Sequence, residues 1–476
     1  MSIEDPTFTS FKSCLIIPSL EDLSLLAAVK ASMQHDDVKK VFYQQLTSQF
    51  SFSRELVYYR AAKINDICMA QIQVPEIFKR KLLCAIKWIR DEYFKWIKHV
   101  VDSSFIKGKF SNTKHLINHA MNSAIWDLKG SINYELSDFQ LAVQLENPTN
   151  DEDIFFLFEK ASKCCLEENI KCFWGKLSYG TKSEILSEGK YYYLSTVYWA
   201  YVMSNKKHKF PRFVWDYLNK TGDFHGCCRK MLELFDVSDV NNMIFLISVL
   251  KGTLMSVKYF FGKVSCIDLE HVIDSYLIYA QRKYGCGWRD NVEDLEVLFY
   301  LLTQINDDIA MKILSKHAAV VIKLCIDYWP FQKFIVMLVK LFPGCMDQAL
   351  MLDLISKLIY DVYRDKSDIF LLKSLWRVIP SELKKSFCSF ISQSQKNYSV
   401  SDVWRYATFE TMNLFLREDE CRKILTPYGN YGITLLIQEK QFNLINHWLK
   451  KRLVSKKAII SFMEHFIVKK LVKLMK

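Results

Sequence analysis

Rows of the C-terminal half begun at Leu298, Ile335, Leu372, Phe409 and Asn446 follow one another at a constant step of 37 residues, and apolar residues stack in columns down them. One column reads Leu301, Leu338, Leu375, Met412 and Leu449. Four residues on, a second reads Ile305, Phe342, Ile379, Leu416 and Leu453, and a third reads Leu314, Met351, Cys388, Leu425 and Phe462. Half of the residues are hydrophobic, so a five-fold apolar column arises by chance about once in thirty and the columns alone decide little. The break column carries more weight. Behind the second column stand Asn306-Asp307, Pro343-Gly344, Pro380-Ser381, Arg417-Glu418 and Val454-Ser455. These are helix stoppers, and in three rows Asp307, Ser381 or Ser455 can cap a following helix through its side-chain oxygen. Each row is therefore expected to hold a helix end, a tight corner and a second helix. Spacing of four sets Leu375 and Ile379 on one face, and Leu383 and Phe387 continue such a face past the corner. A helix pair of this kind cannot bury both apolar faces alone, so it stacks on the next pair. The row begun at Phe261 fits in part: Val264, Val272, Tyr276 and Leu277 fall in apolar columns, but Asp268 stands where an apolar residue is due.

Turn chemistry is scarce throughout. Glycine and proline number 14 and 9 in 476 residues, well under half of ordinary usage, which favours long helices over the many short strands of a sandwich or barrel. The chain exceeds the size at which one compact core stops growing. The expected fold is all-α: an α-solenoid-like array of antiparallel helix pairs, about 37 residues per unit in the C-terminal half. Expected boundaries are a flexible tail over 1–18, a non-repeating helical region over 19–146, a connecting helical region over 151–240, and the array over 241–476 with a basic capping helix at its end. The most polar break, Glu146 to Asp153, separates the second and third of these, and a further break runs from Ser204 to Pro211.

The segment Gly432 to Leu453, which runs from the row begun at Phe409 into the one begun at Asn446, resembles an ankyrin repeat. Gly432 and Thr434 match that family's Gly-x-Thr, and Leu444, Ile445 and Leu449 match its second-helix positions. The pattern departs at Leu435 and Ile437, where ankyrin repeats carry Pro and His, and at Lys440, which precedes Gln in place of the usual Gly. The resemblance implies a degenerate ankyrin-like array with a binding surface and transfers no functional residue. A HEAT-like array and an unrelated helical repeat fit the step equally.

In the N-terminal half, Ser19 is a plausible cap with Asp22 three later and Leu23, Leu26 and Ala27 on one face. A long helix is expected after Pro75, with Ile77, Leu82, Ile86, Ile89, Phe94, Ile97 and Val101 inward and Lys79, Lys87, Arg90 and Asp91 exposed. The best membrane candidate, Met243 to Phe261, places Lys251 and Lys258 on one helical face and is expected to be a single amphipathic helix, not a span. The 14 cysteines include no CxxC, most lie in apolar runs, and the N-terminus has no basic start or apolar run of a signal peptide. A reducing compartment is expected, cytoplasmic with a nuclear location open.

Chemistry-bearing patterns are sparse. His115 and His119 share a helical face but lack an intervening Glu and a third ligand. His225 stands near Cys227 and Cys228, without the second cysteine pair that a zinc site needs. Cys164 and Cys165 read as packed helix residues, and Glu167 and Glu168 as a polar helix face. There is no GxxxxGK[ST] and no GxGxxG; Gly285 to Asp290 supplies only the first two glycines. No catalytic, metal or cofactor residue is therefore assigned, and the expectation is no enzyme, no metal and no cofactor.

Between Tyr191 and Leu218, aromatics interleave with Lys206, Lys207, Lys209 and Arg212, a pattern that single-stranded nucleic acid can use. The competing reading buries Tyr193, Val197, Ala200 and Tyr201 as a core stripe beside a solvated basic corner. Of the net charge of +12, +8 lies in residues 450–476, so the charge is terminal and not a stripe along a groove. The terminal segment Ser455 to Lys476 carries Ile459, Ile460, Met463, Ile467, Leu471 and Leu474 at helical spacing and is expected to cap the array. The expected function is a protein-interaction scaffold with a protein partner. The alternative is nucleic-acid binding through the Lys206–Arg212 loop and the basic terminus.

Overall fold

The computed structural model describes residues 20–47, 54–102, 113–127, 130–144, 150–188, 193–221, 232–233, 239–251, 253–264, 267–284, 292–326, 332–365, 369–393, 411, 414 and 415. Within them the chain is helical. A single isolated antiparallel bridge, Trp126 to Ile132, is the only β pairing among the described residues. Packing divides the chain near residue 325 into two compact units.

The first unit opens with α1 (Leu20–Met33), α2 (Asp36–Thr47), α3 (Arg54–Gln71), α4 (Glu76–Asp102), α5 (Thr113–Ser123) and α6 (Tyr134–Val143). The long α4 is the axis of this group and packs on α1, α3 and α5. Its apolar stripe is buried at Leu82, Ile86, Ile89 and Ile97, and Tyr93 and Trp96 are wholly enclosed. Two expectations are corrected. The buried face of α1 is Leu25, Leu26, Val29 and Met33 together with Asp22, whereas Ala27 is exposed. Arg90 is not on the solvent face of α4: it is buried, with its guanidinium held by Asp91 Oδ1 (2.8 Å) and Asn65 Oδ1 (3.1 Å).

Between α5 and α6 the chain folds back on itself through the Trp126–Ile132 bridge, with Asp127 N–H donating to Ser131 O (3.0 Å) and Asn133 N–H to Ile125 O (2.8 Å). Gly130 makes this turn possible. Its φ is +81°, and a Cβ there would lie 2.6 Å from Leu26 Cδ2 on α1. Gly130→Ala is expected to lower stability by about 1–3 kcal/mol, from left-handed strain and overpacking together. Urea unfolding monitored by tryptophan fluorescence checks it.

Then follow α7 (Asp151–Lys163), α8 (Glu167–Lys176), α9 (Tyr179–Glu188), α10 (Leu194–Met203), a 3-10 turn over Lys207–Lys209, α11 (Phe210–Thr221), α12 (Val240–Lys251) and α13 (Leu254–Phe261). The polar break before α7 ends at Asn150, which caps the helix by accepting from Asp153 N–H at 2.8 Å. The apolar run Met243 to Phe261 is not one helix. It breaks between α12 and α13, where Thr253 N–H donates to Ser248 O (3.1 Å). Buried on all sides from Met243 to Leu250, α12 has the all-round apolarity of a core helix and packs on α10, α11 and α13. No helix among the described residues is long and apolar enough to cross a membrane.

The unit continues with α14 (Leu269–Tyr284), α15 (Val292–Thr303) and α16 (Asp307–Cys325). Here α13 packs on α15, and α14 on α15. Ion pairs join α14 to α16: Lys312 to Glu270 (2.6 Å), and Lys316 and His317 to Asp274 (2.7 Å each). The misfit Asp268 has a role at its corner, since its Oδ1 accepts from His271 N–H at 3.2 Å at the start of α14.

In the second unit lie α17 (Gln332–Leu341), a 3-10 turn over Pro343–Cys345, α18 (Gln348–Asp365), α19 (Ile369–Val378) and α20 (Ser381–Gln393). Here α17 packs on α19, and α18 on both α19 and α20.

Three of the five break positions fall on described residues, and all three are corners between helices: Asn306, Pro343-Gly344 and Pro380. Leu301, Leu338 and Leu375 of the first column are buried, as are Leu314, Met351 and Cys388 of the third. Phe342 of the second column is half-buried, because it leaves its helix for the 3-10 turn. The caps differ from expectation. Asn306, not Asp307, caps α16 (Ile309 N–H, 2.8 Å), and Asp347 caps α18 (Leu350 N–H, 2.7 Å). Ser381 is already the first residue of α20. The rows past Phe415, with Gly432 to Leu453 and the terminal segment Ser455 to Lys476, lie outside the described residues.

Candidate functional site

His119, on α5, has Nδ1 2.9 Å from Gln144 Oε1 just past α6. His225, Cys227, Cys228 and Gly285 to Asp290 lie outside the described residues. Among the described residues no group of three or more His, Cys, Asp or Glu is placed to hold a metal ion.

Cys164 and Cys165 are buried, but they terminate α7 instead of lying within it. Cys164 is the C-cap residue and Cys165 has φ +53°, with Leu166 N–H closing back on Ala161 O (3.1 Å). Burial pushes both thiols up, that of Cys165 to about 12. Such thiols are protonated and inert as nucleophiles at neutral pH. The strained backbone at Cys165 places its Sγ 3.5 Å from Ser256 Oγ on α13, so this turn belongs to the core.

Glu167 and Glu168 open α8 and part company there. Glu168 pairs with Lys171 on the surface (2.8 Å). Glu167 accepts from the Tyr259 hydroxyl and pairs with Lys263 (3.3 Å), so it ties α8 to the α13 end. Hydrogen bonding from Tyr259 holds its carboxyl below the usual range. Lys263 Nζ also sits 3.8 Å from the Tyr259 ring centroid.

At the basic loop, Val197, Ala200 and Tyr201 are buried, as are Tyr198, Trp199 and Phe210. Tyr193 departs from the expected stripe: it is the 55% exposed N-cap residue of α10, with Lys163 Nζ over its ring at 3.2 Å. Lys206, His208, Lys209 and Arg212 are exposed. Lys207 turns inward to Asn241 Oδ1 (2.8 Å). The corner itself is a helix C-terminal motif, with Asn205 at φ +55° and Lys206 N–H donating to Tyr201 O (2.8 Å). Apart from Lys207 and Tyr193, the rings named here face inward and the cations of the corner outward.

Two polar constellations escaped the sequence reading. On α6, Asp138 is buried and receives Lys160 Nζ from α7 and His99 Nε2 (3.2 Å) from α4. Burial alone would raise the Asp138 carboxyl, but the His99 hydrogen bond and the Lys160 charge outweigh it and hold the carboxyl below its ordinary value. His99 is packed against Trp96 (5.8 Å) and Tyr134 (5.7 Å). The second is the Asp274, Lys316 and His317 group joining α14 to α16, in which His317 is buried. Both arrangements join helices with satisfied charges, and neither sets a nucleophile beside a base. Compared with known proteins, the chain matches no family model and no curated protein.

Proposed function

We propose that the chain is a protein-interaction scaffold built from stacked helix pairs of about 37 residues in its C-terminal half. One observation carries this reading: the same packing scheme occurs in each unit. First helix lies on first helix in α13 with α15 and in α17 with α19, and second helix lies on the next first helix in α14 with α15 and in α18 with α19. Second helix joins second helix in α18 with α20 by packing, and in α14 with α16 by the Glu270 and Asp274 ion pairs. Stacked pairs present an extended surface without needing a reaction centre. The resemblance of Gly432 to Leu453 to an ankyrin repeat points the same way.

Affinity capture with the full chain, followed by binding measurements on the purified partner, tests the reading. A saturable protein partner with weak salt dependence is expected. Binding to single-stranded RNA or DNA that weakens steeply with salt, and is lost on neutralising Lys206, Lys209 and Arg212 together, would replace it with the nucleic-acid reading.

A further inference from the structure

Glu92 lies in the middle of α4 and is wholly buried. Its Oε2 accepts from Ile132 N–H (3.4 Å), the return strand of the bridge after Gly130. Its Oε1 makes no hydrogen bond among the described residues, and Lys95 Nζ stands 3.6 Å away. One residue before Ile132 in the chain, the buried Ser131 hydroxyl also lacks a partner among the described residues. A carboxylate in such a place is expensive, whereas a neutral carboxylic acid is much less so.

We propose that Glu92 and the Trp126–Ile132 bridge form a pH-sensitive latch, in which neutral Glu92 lets the bridge sit closed on α4 and ionised Glu92 favours its opening.

The surrounding charges leave Glu92 little relief. On α4 itself, Lys95 favours the ionised form and Asp91 opposes it, while Arg90 is committed to Asp91 and to Asn65 of α3. From the bridge, Asp127 Oδ1 is taken by Ser131 N–H (2.8 Å). From α1, Lys30 Nζ is taken by Asp127 O (3.1 Å) and lies over the Trp126 ring. From α5, His119 is turned to Gln144. Burial is the largest influence and pushes the Glu92 carboxyl up from 4.5 to about 7. The acid is harder to ionise closed than open. The closed state is therefore favoured most below pH 4.5, loses that advantage as pH rises towards 7, and has lost it above.

Amide hydrogen exchange on the full chain tests the latch. The protection factor of the Ile132 amide should fall about tenfold per pH unit between 4.5 and 7 and then level off, and should stay below those of Ile97 and Val100 in α4, which exchange only when the whole group unfolds. In Glu92→Gln, which stays neutral and keeps an acceptor for Ile132, protection at Ile132 should not change with pH. A flat profile in the wild type overturns the proposal, and so does protection at Ile132 equal to that of the α4 amides, which would mark global unfolding and not a local opening. An unchanged pH-dependent fall in Glu92→Gln overturns it as well. If that variant does not fold, the wild-type contrast between Ile132 and the α4 amides decides alone.

Discussion

Truncating Phe387 to Ala is expected to destabilise the second unit by about 3–5 kcal/mol. The side chain is 1% exposed, and its ring meets Trp376 of α19 edge-on at 5.8 Å and Phe415 at 5.6 Å. Trp376 and Phe415 are themselves 4.6 Å apart, so the three rings form one closed cluster. Removing the central contact leaves a cavity walled by two rigid rings that cannot collapse into it, which places the cost in the upper part of the range. Leu375→Ala, wholly buried on the neighbouring helix, should cost about 2–5 kcal/mol. Leu341→Ala, 46% exposed at the end of α17, should change stability by less than about 0.5 kcal/mol. Because the chain has two units, denaturation is best followed by Trp376 fluorescence in a variant background. Near-neutral melts for both Phe387→Ala and Leu375→Ala would contradict the packed core.

The corners at Asn306, Pro343 and Pro380 were legible in the sequence because stopping a helix is a local act: a proline or a side-chain cap works wherever it falls. The buried columns were legible for a related reason, since helical spacing fixes which residues share a face. What spacing cannot say is how wide that face is. Arg90 sits at a position that periodicity assigns to solvent, yet α4 is enclosed by α1, α3 and α5, so a wider arc of it is buried. The break between α12 and α13 was hidden by continuous apolarity, which does not distinguish one amphipathic helix from two core helices. Tyr193 left the expected stripe because it precedes the first turn of α10, where helical periodicity does not yet apply. The polar constellations were invisible altogether. Asp138 draws partners 39 residues upstream and 22 downstream from two other helices, and Asp274 draws them from 42 and 43 residues away. Pairings set by tertiary packing leave no motif behind.

Asp138→Ala is the second large effect expected, about 3–5 kcal/mol, because it strands a buried cation. Lys160 is 8% exposed; burial works against its charge, and Asp138 compensates enough to raise its pKa above the ordinary value. With Asp138 gone, the ammonium must either remain buried beside the Phe156 ring (5.0 Å) or lose its proton on folding. His99 cannot replace the lost carboxylate, because an imidazole brings no negative charge to the buried ammonium. The pH dependence separates this mechanism from simple loss of packing. Asp138 has a folded pKa below its ordinary 3.8, so its contribution is present above 3.8 and disappears as pH falls through the folded value. The gap in stability between wild type and Asp138→Ala should therefore narrow in acid below pH 3.8. A compensating test removes both charges: Asp138→Leu with Lys160→Met should recover most of the loss, since a buried ion pair contributes little net stability relative to apolar residues of similar volume. A double variant no more stable than Asp138→Ala would mean that His99 and the α4–α6 contact, and not the stranded Lys160 charge, dominate the cost.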